Sequence, residues 1–268
     1  MKIGLSRERK NPPDNRVALS PIQCVALQQR YPQIKVSVES SPTRCFSDEA
    51  YREVGVDVLD SLEHCDVILN IKEVPSEALI AGKTYFFFSH TIKKQPYNRG
   101  MLQTVLKKHI TLVDYEVLRY ETGARVLGFG RYAGVVGTYN GLLVYGKKHG
   151  LYSLKPAHQS KNYADILTQL LRVELPNLRI AVTGGGRVSQ GALDLLRALQ
   201  IREVTPSQYL HINYSEPIFV QLNSPDLYVH PTLTQWDTQH FYKHHREYKS
   251  QFKGYAERTD LLVNGIYW

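Results

Sequence analysis

Four residues carry side chains suited to moving protons or holding carboxylates: Lys72, His90, Arg16 and Arg125. Lys72 follows the apolar run at 67–71, and His90 follows the run at 84–88. Both runs read as strands, and ligands of open α/β sheets bind outside the carboxyl ends of strands. A lysine buried near another cation surrenders its proton more readily, and histidine titrates near neutrality. Such a pair could pass protons while an imine forms and is reduced. Arg16 follows the turn-rich Asn11-Pro-Pro-Asp-Asn, and Arg125 precedes Val126-Leu-Gly-Phe, which is strand-like. Guanidinium groups on such loops suit two-point capture of a carboxylate. Taken singly, each also fits an ordinary role: a solvated lysine, a turn-capping histidine, arginines in surface pairs.

A second constellation is Thr183-Gly184-Gly185-Gly186-Arg187-Val188-Ser189-Gln190-Gly191. It follows an apolar run at 178–183 and leads into a helix expected over 191–198. Gly184 and Gly186 fit the first two glycines of G-x-G-x-x-G, and Ser189 stands at the third. The first two permit a tight turn and close approach of a pyrophosphate, which the helix N-terminus then faces with free N–H groups. Serine is small enough for the helix–strand contact of the third position, and Gly191 also suits it. An ordinary strand–turn–helix glycine loop is the alternative reading. An acid that holds the ribose 2′-hydroxyl is expected about 20 residues on, where Thr205 and Ser207 stand instead, with Glu203 inside the strand. The missing carboxylate removes repulsion of a 2′-phosphate and slightly favours NADP(H) over NAD(H).

The elements that must position these residues alternate. Residues 2–5 read as a strand. Ser20 caps a helix that Pro21 opens and that runs to residue 29. Residues 34–39 alternate like a half-buried strand, 47–54 read as a short helix, 96–108 as an amphipathic helix and 111–114 as a strand. The pattern predicts α/β architecture with two Rossmann-like domains and parallel sheets, divided as 1–130 and 131–268. Small residues crowd the segment 132–145, as in a helix packed tightly on a neighbour, here taken as the hinge helix. A further helix is expected near 163–173.

Composition narrows the classes. Hydrophobic residues make 43% and charged residues 22% of 268, ordinary for a soluble globular chain. No apolar run approaches the ~18 residues of a membrane helix, and the first residues lack a signal-peptide pattern. Cys24, Cys45 and Cys65 are odd in number and scattered, which predicts reduced thiols and a cytoplasmic protein. The net charge of +8 suits anionic small molecules; a nucleic-acid partner rests on charge alone and is not expected. His240 and His244 have helical i,i+4 spacing, but no acid stands between them as in H-E-x-x-H. The stretch 243–253 is therefore expected as a solvated helix face, with no metal.

Phe87-Phe-Ser-His-Thr-Ile-Lys-Lys-Gln-Pro-Tyr-Asn, with Thr111-Leu-Val-Asp-Tyr-Glu, resembles the lysine-forming saccharopine dehydrogenases. It is most similar to the lysine–2-oxoglutarate reductase portion of the bifunctional animal and plant enzymes. Arg16-Val-Ala-Leu-Ser-Pro, Ile71-Lys-Glu-Val-Pro, Gly128-Phe-Gly-Arg-Tyr-Ala-Gly, the glycine turn and Leu262-Val-Asn-Gly-Ile-Tyr-Trp extend the resemblance along the chain. The Arg16 block is shared with the wider alanine dehydrogenase and transhydrogenase group. The resemblance implies that Lys72 and His90 are the acid–base pair and that Arg16 and Arg125 hold substrate carboxylates. It implies that Lys93 lies in the same cleft, and that Glu73 and Glu116 tune the charge around Lys72 and His90. Lysine, 2-oxoglutarate and saccharopine would be the small-molecule partners.

The resemblance also implies that relatives continue past Trp268, leaving the second domain incomplete. The expectation that follows is a homo-oligomer or a completing chain, because an open sheet edge invites pairing. Two other classes stay open: an alanine dehydrogenase-like amino-acid dehydrogenase, and a non-catalytic binding module on the same scaffold.

Overall fold

Short apolar runs separated by helices build the first sheet. The computed structural model describes residues 1–12 and 14–266, and the chain divides into two compact units, Met1–Gly128 and Phe129–Trp268. Pro13, within the turn-rich segment, and Tyr267 and Trp268, quoted in the resemblance, lie outside the described residues.

The first unit runs β1 (Lys2–Leu5), α1 (Pro21–Arg30), β2 (Lys35–Glu39), α2 (Asp48–Glu53), β3 (Asp57–Leu59), β4 (Val67–Leu69), β5 (Thr84–Phe87), α3 (Arg99–Lys107) and β6 (Thr111–Asp114). Ser20 caps α1 through a reciprocal capping box with Gln23, which satisfies amide donors that the helix cannot pair itself. The six strands are all parallel, in the order β3-β2-β1-β4-β5-β6. The order reverses between β1 and β4, and that switch point is where such sheets open a crevice. Strand β2 departs from the expected half-buried alternation. Val36, Ser37, Val38 and Glu39 are all buried, because Cys24 of α1 and Tyr51 of α2 pack with Val36 and Val38 while Ser6, Arg7 and Arg9 close over Glu39. The predicted strand at 126–129 does not form; Arg125 makes one isolated antiparallel bridge with Arg119. The helix expected from 96 begins as a 3-10 turn, Pro96–Asn98, before α3.

The second unit runs α4 (Gly130–His149), α5 (Tyr163–Leu170), β7 (Arg179–Thr183), α6 (Arg187–Ala198), β8 (Arg202–Glu203), α7 (Pro206–His211), β9 (Ile218–Leu222), α8 (Ser224–Leu227), β10 (Tyr228–Val229), α9 (Thr238–His244), β11 (Lys249–Ser250), α10 (Phe252–Ala256) and β12 (Leu261–Asn264). Four parallel strands take the order β12-β7-β9-β8. In the common dinucleotide order the second strand in sequence lies beside the first; here β9 separates them. β10 and β11 form a small antiparallel pair. The expected helix face at 243–253 is broken: α9 stops at His244, a 3-10 turn spans His245–Glu247, and β11 follows.

The crowded small residues of α4 pack on α6. A Cβ on Gly134 would lie 1.8 Å from the Val188 carbonyl oxygen, and one on Gly191 would lie 1.8 Å from that of Arg131. The two backbones therefore touch directly. Gly191 serves this helix–helix crossing and not the helix–strand contact expected of it. Ile180, Val182, Leu193, Leu196 and Phe219 fill the core beneath, each full burial contributing about 1.5–3 kcal/mol.

Candidate functional site

The carboxyl ends of β1, β4, β5 and β6 carry the charged residues of the first unit. Three residues past the end of β4 stands Lys72, and three past the end of β5 stands His90. At the switch point the Glu8 carboxylate spans the two central strands. It accepts the backbone N–H groups of Ile71 at 2.6 Å and Lys72 at 3.0 Å. Burial raises the Glu8 carboxyl above its ordinary range, outweighing those two hydrogen bonds. Lys72 is half-buried, and its ammonium has no hydrogen bond or ion pair among the described residues. Beside it, Glu73 accepts a hydrogen bond from His90 Nδ1 at 2.6 Å and pairs with Lys10 at 3.0 Å. Burial pushes the Glu73 carboxyl up, but the bonds from His90 and Lys10 prevail and hold it below its usual range. Because the carboxylate only accepts, Nδ1 carries a proton, and Nε2 is the ring position left for exchange.

His90 sits in the left-handed region, φ 54°, which costs a non-glycine residue about 1–2 kcal/mol. A buried network holds it there. Ser89, fully buried, donates to Asp114 Oδ2 at 2.6 Å and accepts from the Thr91 backbone N–H at 3.2 Å. Asp114 Oδ1 also accepts from the Glu116 backbone N–H at 2.8 Å. One carboxylate thus fixes both loops, and Glu116 lies where Lys93 (3.1 Å) and Arg125 (3.2 Å) share its Oε1. Glu116 Oε2 is buried without a partner among the described residues. Arg16 pairs with Asp14 at 2.6 Å, a contact that holds the Asp14 carboxyl low.

In the second unit the glycine turn is shorter than its motif. Helix α6 starts at Arg187, not at 191, with Gly186 as an N-cap that has no side-chain cap. Arg187, Val188 and Ser189 therefore form its first turn. Gly184 has φ +91°, and a Cβ there would lie 2.5 Å from Ile266 Cγ2. Ser189 donates to the Thr183 carbonyl at 2.8 Å inside the core, so it supplies the helix–strand contact expected of a third glycine. A left-handed glycine before a 12-residue helix with uncapped amides fits a pyrophosphate.

Glu73 and His90 come together, with Lys72 next to Glu73 in the chain, and so do Lys93, Glu116 and Arg125. Glu116 engages the two cations and not Lys72 or His90. Thr205 does not border the glycine turn: β9 intervenes, and the Thr205 hydroxyl caps α7 by accepting from Gln208 N at 3.2 Å. Glu203 pairs with Arg197 at 2.9 Å. The residues that do border the turn were missed. Gln221 Nε2 donates to the Gly184 carbonyl at 2.9 Å, and Asn223 follows the end of β9. The apolar run Ile-Phe-Val-Gln-Leu could have marked that strand. Glu8 and Asp114 were also missed, since nothing in their spacing distinguishes them from surface acids.

His230, His240 and Glu247 each place one ligand-capable atom within 4.8 Å of the others. His230 Nδ1 accepts from the backbone N–H groups of Thr232 and Leu233, at 3.2 and 3.1 Å. Its proton therefore sits on Nε2, facing Glu247 at 3.4 Å, and that nitrogen offers an ion no lone pair.

Residues 4–136 match the family described as alanine dehydrogenase/PNT, N-terminal domain. The chain is 30% identical to the mitochondrial alpha-aminoadipic semialdehyde synthase of Mus musculus, over 99% of this chain and 31% of the relative. It is 28% identical to the NAD(+), L-lysine-forming saccharopine dehydrogenase of Yarrowia lipolytica, over 76% of this chain and 58% of the relative. The chain thus spans about a third of the length of the synthases it matches. An L-alanine dehydrogenase structure superposes with a TM-score of 0.55 at 16% identity, covering 84% of this chain and 62% of the other. The transhydrogenase of Sinorhizobium meliloti gives 0.52 at 15% identity, covering 76% and 56%. These two likenesses concern the fold. Among the described residues no helix is long and apolar enough to cross a membrane. The chain is thus homologous to the alpha-aminoadipic semialdehyde synthases and the L-lysine-forming saccharopine dehydrogenases, and its first half matches the N-terminal domain of the wider alanine dehydrogenase/transhydrogenase group.

Proposed function

We propose that this chain works in an oxidoreductase that joins L-lysine and 2-oxoglutarate into saccharopine, or cleaves it, with a nicotinamide cofactor. The observation that carries the reading is the hydrogen-bonded Glu73–His90 pair at the carboxyl ends of a parallel sheet, with Lys72, whose ammonium has no partner among the described residues, adjacent to Glu73 in the chain. In the joining direction the ε-amine of lysine attacks the 2-oxo carbon, water leaves, and the resulting C=N bond is reduced. Lys72 and His90 Nε2 take the proton from the attacking amine and deliver one to the departing oxygen. Glu73 orients the His90 ring and steadies the imidazolium that forms. Arg16, Arg125 and Lys93 hold the substrate carboxylates, with Glu116 spacing the last two. The glycine turn Gly184–Gly186 and the first turn of α6, Arg187 to Ser189, would hold the pyrophosphate of a nicotinamide cofactor, which would supply the hydride.

The reading is tested by following NAD(P)H absorbance with lysine and 2-oxoglutarate, with pyruvate and ammonia as the contrasting pair. Turnover that needs both lysine and 2-oxoglutarate supports it; turnover with pyruvate and ammonia alone would replace it with an amino-acid dehydrogenase. The preference for NADP(H) rested on Thr205 and Ser207 standing where a ribose acid is expected; they are the cap and first turn of α7, one strand removed, so both nucleotides belong in the assay. The free thiols Cys24, Cys45 and Cys65 suit a reducing compartment such as the cytoplasm. At the edge strand β12, where Leu262 is 44% exposed, pairing with a second copy or a further segment is expected. Light scattering that finds a stable monomer at high concentration counts against that pairing.

A further inference from the structure

The sheet order of the second unit relocates the residues that meet the cofactor's adenosine. In a dinucleotide fold the ribose is read at the carboxyl end of the strand beside the glycine-turn strand. Sequence order points to β8 and Thr205, but β9 is the strand paired with β7, with Thr183 opposite Leu222. The two strand ends are locked together: Gly184 N donates to the Leu222 carbonyl at 2.7 Å, and Gln221 Nε2 donates back to Gly184 O at 2.9 Å. The next residue, Asn223, reaches the turn itself, its Oδ1 being 3.2 Å from where a Cβ on Gly185 would stand. Asp226 is held against it, one carboxylate oxygen accepting the Asn223 backbone N–H at 2.8 Å. Asp226 makes no ion pair among the described residues.

We infer that Asn223 and Asp226, at the end of β9, read the adenosine ribose of the cofactor and favour NAD(H) over NADP(H). The inference rests on the dinucleotide-binding reading of the glycine turn. An amide and a carboxylate offer acceptors to the two ribose hydroxyls, whereas a 2′-phosphate would bring two negative charges towards a carboxylate that no cation among the described residues pairs with. Arg187, the first residue of α6, stands at the helix end that takes the pyrophosphate.

The test is equilibrium binding of NADH and of NADPH to the full chain, followed by calorimetry or nucleotide fluorescence, without substrates. NADH should bind more tightly than NADPH by about tenfold. Asp226→Asn keeps an oxygen for the Asn223 N–H while removing the charge, and should narrow the ratio; Asp226→Arg should reverse it. Thr205→Ala should leave the ratio unchanged. Tighter binding of NADPH by the unaltered chain, or a ratio that neither Asp226 variant moves, overturns the assignment. Binding of neither nucleotide overturns the glycine-turn reading as well, and melting curves of the variants separate that result from misfolding.

Discussion

The two units hold their strand ends in place by different means. At the carboxyl edge of the first sheet, Glu8, Glu39, Glu73, Asp114 and Glu116 each accept hydrogen bonds or ion pairs from neighbouring loops. Positions there are fixed by charge and hydrogen bonding between side chains and backbone. At the corresponding edge of the second sheet the turn is almost without charge. Uncharged hydrogen bonds from Gly184 N, Gln221 Nε2 and Ser189 Oγ hold it, and close contact does the rest, with Gly184 against Ile266 and with Gly134 and Gly191 letting α4 and α6 meet backbone to backbone. A site built from charge should lose chemistry before it loses its fold; one built from contact should lose its fold to a single methyl group.

The sharpest test of that contrast is at the charged edge. Lys72→Met and His90→Gln should each lower kcat by about 10²–10⁴-fold, the usual weight of a general acid–base group, while thermal melting stays near that of the unaltered protein. A large drop in melting temperature for either would break the distinction. Gly191→Ala should do the reverse. Its Cβ cannot coexist with the Arg131 carbonyl, so α4 and α6 must separate, at a cost of about 1–3 kcal/mol or more in urea unfolding. Wild-type stability in that variant would show the crossing to be compliant.

Ser89→Ala lies between the two modes. It leaves one oxygen of the Asp114 carboxylate short of a donor, for about 1–3 kcal/mol, and frees His90 from its left-handed backbone. A fall in kcat with little change in KM, recovered by Ser89→Thr, is the expected pattern. Equal loss in Ser89→Thr would reduce Ser89 to a packing residue.

Smaller still is the pH dependence of the first unit. Glu39 and Glu73 have carboxyls depressed below their ordinary value of 4.5: burial opposes this in both, but Arg9 and Arg7 for Glu39, and His90 and Lys10 for Glu73, outweigh it. A depressed folded value means that the stabilisation is fully present above the unfolded value and vanishes as the pH falls through the folded one. Glu8 has the opposite sign, its raised carboxyl costing stability once the pH climbs past its ordinary value. Unfolding free energy should therefore decline below about pH 4.5, and Glu73→Gln should flatten that decline. The smallest effect belongs to the exposed Arg197–Glu203 pair of the second unit, where Arg197→Ala should cost about 0–1 kcal/mol.

The same contrast explains what could be read from sequence. Strand runs such as 84–87 and the Ser20-Pro21 helix start are local signals, and they form as expected. Lys72 and His90 were visible because a charged residue after an apolar run is conspicuous. Glu8 and Asp114 were not, because their partners lie 63 and 25 residues away. Thr205 was assigned by counting along the chain, which assumes that neighbours in sequence are neighbours in the sheet. The place of β9 between β7 and β8 is a tertiary fact without a local mark. The helix start at 191 was set too late because three glycines suggested a longer loop, whereas Gly186 already serves as the cap.

The neighbours chosen by β7 also set a timetable for synthesis. When Thr183 leaves the ribosome, neither strand that will flank it exists: β9 begins at Ile218, and the hydrogen bond from Thr183 to Asn264 spans 81 residues. β8, the strand made next, pairs among the described residues only with β9. The apolar β7 must therefore wait, shielded only by α4, α5 and α6, until distant partners emerge, and pairing over such spans is slow. Strand β7 should be the segment most dependent on chaperones until β9 is outside the ribosome, and slowing translation well past residue 222, once that strand has emerged, should raise the yield of soluble protein.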